Sequence, residues 1–267
     1  MPELPEVETV RTGLEMAWVG HKIVEVELRR KTLRFPFPED MIERLQGRKI
    51  VAIRRRAKYL LVDLDNGSIW LNHLGMTGRW TYDASEYDGK HDHVMIRFED
   101  GSVSVYNDPR RFGVMDIMVG ASHKLLDHLG PEPLEDWSGV ELADRIGGRK
   151  SPIKTLLLDQ RTVVGIGNIY ACEVLNRVQI SPTRKGGDIS EEECRLLVSE
   201  SRKVLLEAIA AGGSTLKDFK AVDGSLGYFT HQFRVYDKEG QKCPCGGTVE
   251  RFMQSGRSTF WCSSCQD

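Results

Sequence analysis

The sequence predicts an α+β protein of more than one domain: a β-rich unit behind a single helix, a helical unit, and a small cysteine module. Short alternating apolar stretches separated by tight-turn pairs occupy much of residues 23–106, which suggests a sandwich. From about residue 121 the apolar spacing turns helical. Four of the six cysteines, Cys243, Cys245, Cys262 and Cys265, fall within the last 25 residues. A length of 267 residues corresponds to about two domains, enough to bury a core without a disulfide framework.

Each element has its own signal. Leu4, Val7, Val10, Leu14 and Ala17 recur at three- and four-residue steps before Gly20, with the prolines confined to the first turn, so they read as one amphipathic helix. Val24, Val26 and Leu28 alternate with charged residues. Further strands are expected at Lys49–Arg54, Tyr59–Leu64, Ser68–Leu74, His93–Phe98 and Ser102–Tyr106. Asn66-Gly67 and Asp100-Gly101 are hairpin turns between pairs of them. Leu156 to Leu158 and Ile169–Val178 read as helical. Ser190 through Glu193 form a capping box that opens a long helix, which Gly212-Gly213 close. After Gly224 short β-like pieces return around the cysteines, and there is no internal repeat or low-complexity tract.

Composition removes several function classes. The chain is 40% hydrophobic and 28% charged with a mean hydropathy of −0.36, and no run approaches the ~18–20 apolar residues of a membrane span. The start lacks the basic and apolar regions of a signal peptide, so the expected location is the cytoplasm, with no membrane partner. Net charge is −2, but it is unevenly spread. Residues 149–187 carry seven basic and two acidic side chains, between segments that carry two and seven (112–148) and five and eight (188–232). Such a stripe is what a phosphate backbone feels; on charge alone it also suits an ordinary solvated face.

The cysteines carry the strongest chemical signal. In a reduced compartment four thiolates on two short loops suit tetrahedral structural zinc, organising a module too small to fold on its own core. Cys262-Ser263-Ser264-Cys265 is the usual C-x-x-C, whereas Cys243-Pro244-Cys245 is one residue shorter; a reduced cluster without metal is the alternative. Cys172 and Cys194 read as buried small apolar residues. Between the pairs, Ser255-Gly256 forms a turn that pushes Arg257 outward, a placement suited to phosphate. At the start, removal of Met1 would leave Pro2 with a secondary amine titrating near ~8, able to attack a sugar C1′ and form an iminium. Glu3 beside it suits general acid/base work.

Taken together these stations resemble the formamidopyrimidine-DNA glycosylase family. The resemblance begins at Met1-Pro2-Glu3-Leu4-Pro5-Glu6-Val7-Glu8-Thr9. It continues through Arg55-Arg56-Ala57-Lys58-Tyr59-Leu60, His73-Leu74-Gly75-Met76-Thr77-Gly78, His91-Asp92-His93-Val94 and Asp108-Pro109-Arg110-Arg111-Phe112-Gly113. Leu129-Gly130-Pro131-Glu132-Pro133-Leu134, Val164-Gly165-Ile166-Gly167-Asn168-Ile169-Tyr170 and the terminal Cys265-Gln266 complete it, in order over the whole chain.

The resemblance implies an N-terminal β-sandwich catalytic domain flanked by helices (1–130), a helix-two-turn-helix DNA-binding domain (131–225), and a zinc β-hairpin (226–267) holding one structural zinc ion, with DNA across the cleft. It implies Pro2 as nucleophile, Glu3 as acid/base, Lys58 as proton donor and phosphate ligand in β-elimination, and Arg257 as the phosphate clamp of δ-elimination. Met76, Arg110 and Phe112 match the trio that fills the gap left by an extruded nucleotide, whose unstacking costs a few kcal/mol. His73, His91, Arg149 (or its neighbour Lys150) and Asn168, read as a helix cap, match DNA contacts. Residues 217–229 are expected to form a mobile loop closing over a flipped base. The implied partner is double-stranded DNA bearing oxidised bases or abasic sites, handled by a monomer. Two other readings stand beside this one: an endonuclease VIII-like glycosylase for oxidised pyrimidines, and a zinc-ribbon DNA-binding protein without catalysis.

Overall fold

The structure is a computed structural model and describes residues 2–84, 88–135, 137–214, 227 and 229–267. The chain divides into two compact units, Met1–Asp127 with Ala211–Tyr228, and His128–Ala210 with Phe229–Asp267.

The first unit opens with α1 (Leu4–Trp18), whose N-cap is Glu3 and whose first turn takes Pro5 without losing a needed amide. Leu4, Val7, Val10 and Leu14 are buried as the spacing predicts; the stripe ends on buried Trp18, and Ala17, expected to complete it, is only partly buried. Among the described residues, eight strands follow, β1 (Ile23–Leu28), β2 (Ile50–Arg56), β3 (Tyr59–Leu64), β4 (Ser68–His73), β5 (Arg79–Tyr82), β6 (Asp92–Phe98), β7 (Val103–Asn107) and β8 (Val114–Val119), with the short helix α2 (Met41–Leu45) after β1. They form two antiparallel four-stranded sheets, ordered β1-β6-β7-β5 and β2-β3-β4-β8. Val26, Val94 and Ile96 of one sheet and Ile53, Val62 and Trp70 of the other belong to a single core with α1, which makes the unit a sandwich. At its centre Trp18 stacks on Trp70 (5.8 Å) and meets Trp80 edge-on (4.9 Å). Burial of the Trp18 indole is satisfied by Ser104, which accepts its N–H at 2.8 Å.

Both sequence-predicted turns form, with positive φ at Gly67 and Gly101. In each, the preceding Asn66 or Asp100 side chain accepts the amide of Ser68 or Ser102. Two strands escaped the sequence reading. β5 has only four residues, and β8 (Val-Met-Asp-Ile-Met-Val) shows no clean alternation because its burial is irregular.

The second unit contains α3 (Gly139–Ile146), α4 (Ile153–Leu158), α5 (Asn168–Arg177), α6 (Glu191–Ala210) and a hairpin of β9 (Glu250–Gln254) with β10 (Arg257–Trp261). The capping box of α6 is real: Ser190 Oγ accepts the Glu193 amide, and Glu193 accepts the Ser190 amide. α3 crosses α6 so closely that a Cβ at Gly139 would lie 2.5 Å from Arg195. The last residues are laced to the exit of α5, because Ser181 donates to the Asp267 carbonyl and Asp267 donates to that of Gln179.

Candidate active site and metal centre

The start of the first unit is held by one buried carboxylate. Glu6 Oε2 accepts the Glu3 amide at 2.8 Å, and Glu6 Oε1 accepts both the amide and the hydroxyl of Ser214 at 2.8 Å. Glu3 is 3% exposed and Pro2 is buried, so both candidate catalytic groups sit out of bulk solvent at the mouth of α1. Sequence reasoning missed Ser214, since nothing local signals a contact across 208 residues. The expected loop at 217–229 lies mostly outside the described residues.

Lys58 occupies the tight turn between β2 and β3, where Ala57 takes a φ of 56°. That turn is fastened to α1. Arg55 donates to Glu8 at 2.8 Å and to the Ala57 carbonyl at 3.0 Å. The strand after the turn places Tyr59 opposite His73 at the end of β4. His73 Nδ1 accepts the Gly75 amide at 2.9 Å, which leaves the proton on Nε2. Burial, and then the charges of Lys58 and Arg34, lower the His73 pKa to about 4, so the ring is a neutral donor near pH 7.

Asp108 holds the two loops that carry the candidate wedge residues. Fully buried, it accepts from Thr77 Oγ1 at 2.6 Å and from the Gly113 amide at 2.8 Å, and Thr77 Oγ1 in turn accepts the Arg110 amide. The loops nearly touch: at Gly75, φ is 67° and a Cβ would lie 2.4 Å from the Phe112 carbonyl carbon. Phe112 is 41% exposed, with the Arg110 guanidinium 4.8 Å above its ring. An exposed phenylalanine on a rigidly tied loop is not core packing. His91 lies at the same place, its carbonyl accepting the Asp108 amide at 3.0 Å. The structure adds Arg34 and exposed Phe35, which the sequence reading passed over. The Arg34 amide donates to the Gly113 carbonyl, and its guanidinium lies 5.7 Å from the Phe35 ring. The mixed basic and aromatic run Lys31 to Phe37 was the available signal.

In the second unit Asn168 is not the cap expected from sequence. Gly167 is the N-cap, in extended backbone, and Asn168 is the first helical residue of α5. Its Nδ2 donates to the Ser258 carbonyl at 2.9 Å, so the side chain ties α5 to β10 instead of closing its own helix. Buried Lys154 of α4 makes a parallel tie, donating to Thr259 Oγ1 at 2.7 Å. Between these anchors and the tip, Ser255 and Gly256 turn the chain with φ of 50° and 74°, and Arg257 emerges exposed. Arg149 and Lys150 are both exposed between α3 and α4.

The four cysteine sulfurs lie within 4.8 Å of one another. Cys243 to Cys265 measures 3.9 Å and Cys245 to Cys262 measures 3.6 Å. Tetrahedral Zn–S bonds of ~2.3 Å require S···S separations of about 3.8 Å, so the donor set fits zinc despite the short first loop. Gly247 is required there, since a Cβ would lie 2.7 Å from the Cys262 sulfur. Cys172 and Cys194 are buried, as expected, and Cys172 packs against this cluster.

Known proteins place the chain. Residues 1–115 match the formamidopyrimidine-DNA glycosylase N-terminal domain, and residues 129–220 match the formamidopyrimidine-DNA glycosylase H2TH domain. A formamidopyrimidine-DNA glycosylase of Cereibacter sphaeroides is 50% identical, with all of both chains covered. A variant of the Lactococcus lactis protein, solved with DNA containing Fapy-dG, superposes with a TM-score of 0.91 at 33% identity, covering 100% of each chain. A MutM solved with DNA containing carbocyclic 8-oxo-G gives the same TM-score, identity and coverage. Sequence, family domains and fold agree over the full length, and the chain belongs to the formamidopyrimidine-DNA glycosylase family.

Proposed function

We propose that the protein is a bifunctional DNA glycosylase and AP lyase that removes oxidised purines, 8-oxoguanine and formamidopyrimidines, from duplex DNA. One observation carries this reading: Pro2 and Glu3 are buried together at the start of α1, held by Glu6. With Met1 removed, the Pro2 nitrogen attacks C1′ and the base departs. Glu3 delivers a proton to the ring oxygen as the sugar opens, and an iminium forms. The iminium acidifies the C2′ proton, whose loss expels the 3′ phosphate; a second elimination expels the 5′ phosphate. Lys58 and Arg257 stay cationic beside these phosphates and stabilise the charge that develops on them.

His73, His91 and Arg110 on the first unit, and Arg149 and Asn168 on the second, bind further phosphates or the orphaned base. Met76, Arg110 and Phe112 fill the gap in the stack. Cys243, Cys245, Cys262 and Cys265 hold one structural zinc ion, which organises the hairpin and takes no part in the chemistry. The functional parts are 1–130, 131–225 and 226–267, acting as a monomer in the bacterial cytoplasm.

The test is to incubate tag-free protein with a duplex carrying one 8-oxoguanine, reduce with borohydride, and map the adduct by mass spectrometry. An adduct on Pro2, with strand cleavage in the unreduced control, is expected. Failure to trap on 8-oxoguanine with trapping on an abasic duplex would move the substrate to pyrimidines. Binding without trapping on either would leave a non-catalytic binder.

A further inference from the structure

The sulfurs of the cysteine cluster are not served alike. The Gly247 amide donates to Cys245 at 3.4 Å, from within its own loop. Among the described residues, the N–H reaching the sulfurs of Cys243 and Cys265 comes from outside the loops. Asn176, 4% exposed in the last turn of α5, points its Nδ2 at Cys243 Sγ (3.6 Å) and Cys265 Sγ (3.9 Å). The orientation of that amide is fixed. Gln266 Oε1 already accepts the Cys262 amide at 2.8 Å, so it is an acceptor, and Asn176 Nδ2 donates to it at 3.1 Å. Gln266 Nε2 in turn donates to the Ile180 carbonyl at 2.9 Å. One hydrogen of the Asn176 amide is thereby committed to Gln266, and the other is directed between two sulfurs.

The physical need is clear. Four thiolates around a divalent ion leave a net charge of about −2 in a partly buried site, and such charge requires donors. The first loop, being C-x-C, is one residue short of the usual C-x-x-C, with one fewer amide to offer. We propose that Asn176 is the outer donor of the zinc centre, setting the charge on Cys243 and Cys265 and anchoring α5, the helix that begins with Asn168, to the metal. This rests on the zinc reading given above.

The experiment uses the full chain with Asn176→Leu and Asn176→Asp. Zinc per chain is measured by atomic emission, zinc release by transfer to the chelator 4-(2-pyridylazo)resorcinol, and sulfur electronics by the sulfur-to-metal charge-transfer band of the cobalt(II) form. Loss of an N–H···S bond raises the sulfur lone-pair energy, so the band moves to lower energy. Zinc release quickens on the order of tenfold for leucine, and more for aspartate, which sets a carboxylate against thiolates. Unchanged release and an unchanged band in both variants overturn the proposal. Absence of zinc from the wild-type protein overturns the zinc reading instead, and the proposal with it. Should leucine disturb the packing, the near-isosteric aspartate decides through its band position, which a merely structural role would not move.

Discussion

The loop bearing Arg110 and Phe112 and the hairpin bearing Arg257 solve one problem by different means. Each must hold an exposed side chain steady in water. The first borrows rigidity from a large sandwich core, through a buried carboxylate that binds both candidate wedge loops at once. The second has behind it a small cluster of Val235, Val249, Phe260 and cysteines, and its four sulfurs converge instead. Where apolar area suffices, hydrogen bonds finish the job; where it does not, converging thiolates offer the place at which the proposed zinc would substitute for a core.

The sharpest way to break this contrast is Cys262→Ser. Metal analysis should show zinc lost, and affinity for abasic duplex should fall on the order of 100-fold, while the sandwich retains its unfolding transition. Asp108→Ala strikes the other side. It leaves the Gly113 amide and the Thr77 and Tyr106 hydroxyls without their shared acceptor, a loss of about 4 kcal/mol in denaturant unfolding, with zinc content unchanged. If zinc is lost as well, the two devices are not independent.

His73 gives a smaller effect with a definite sign. Its folded pKa of about 4 lies below the unfolded value near 6.5, so between those values the unfolded chain binds more protons. Stability is therefore full above pH 6.5 and falls as pH drops toward 4, by up to about 3 kcal/mol. His73→Gln should flatten that limb in pH-dependent unfolding curves. The smallest expected stability change is for Phe112→Ala, within about 0.5 kcal/mol. The same variant should slow base excision from duplex more than it slows cleavage at a preformed abasic site, as gel-based time courses would show.

What the sequence made legible was local chemistry. Asn66-Gly67, Asp100-Gly101 and the Ser190 to Glu193 box announced turns and a cap because each device is complete within a few residues. A candidate chemistry for Pro2, Glu3 and Arg257 could be read from the residues themselves, whereas the roles proposed for them and for Lys58 rest on an ordered set of motifs. What escaped depends on tertiary partners. Asn168 looked like a cap, since an Asn after glycines usually is one, yet its amide goes to Ser258, 90 residues away. Glu6 is the N3 residue of the α1 cap, and its further partner Ser214 lies 208 residues away. Arg34 carries no motif of its own, and its place beside Gly113 comes from the pairing of two loops.

The two-residue turn before Arg257 imposes an arithmetic on the hairpin. Arg257 pairs with Gln254, and side chains alternate along β10, so Arg257 shares a face with Thr259. Inserting one residue between them would send Arg257 to the opposite face, whereas lengthening both strands by two keeps its direction and moves it about 7 Å. The reach of this arm is therefore quantised, and natural variation in its length should occur in even steps.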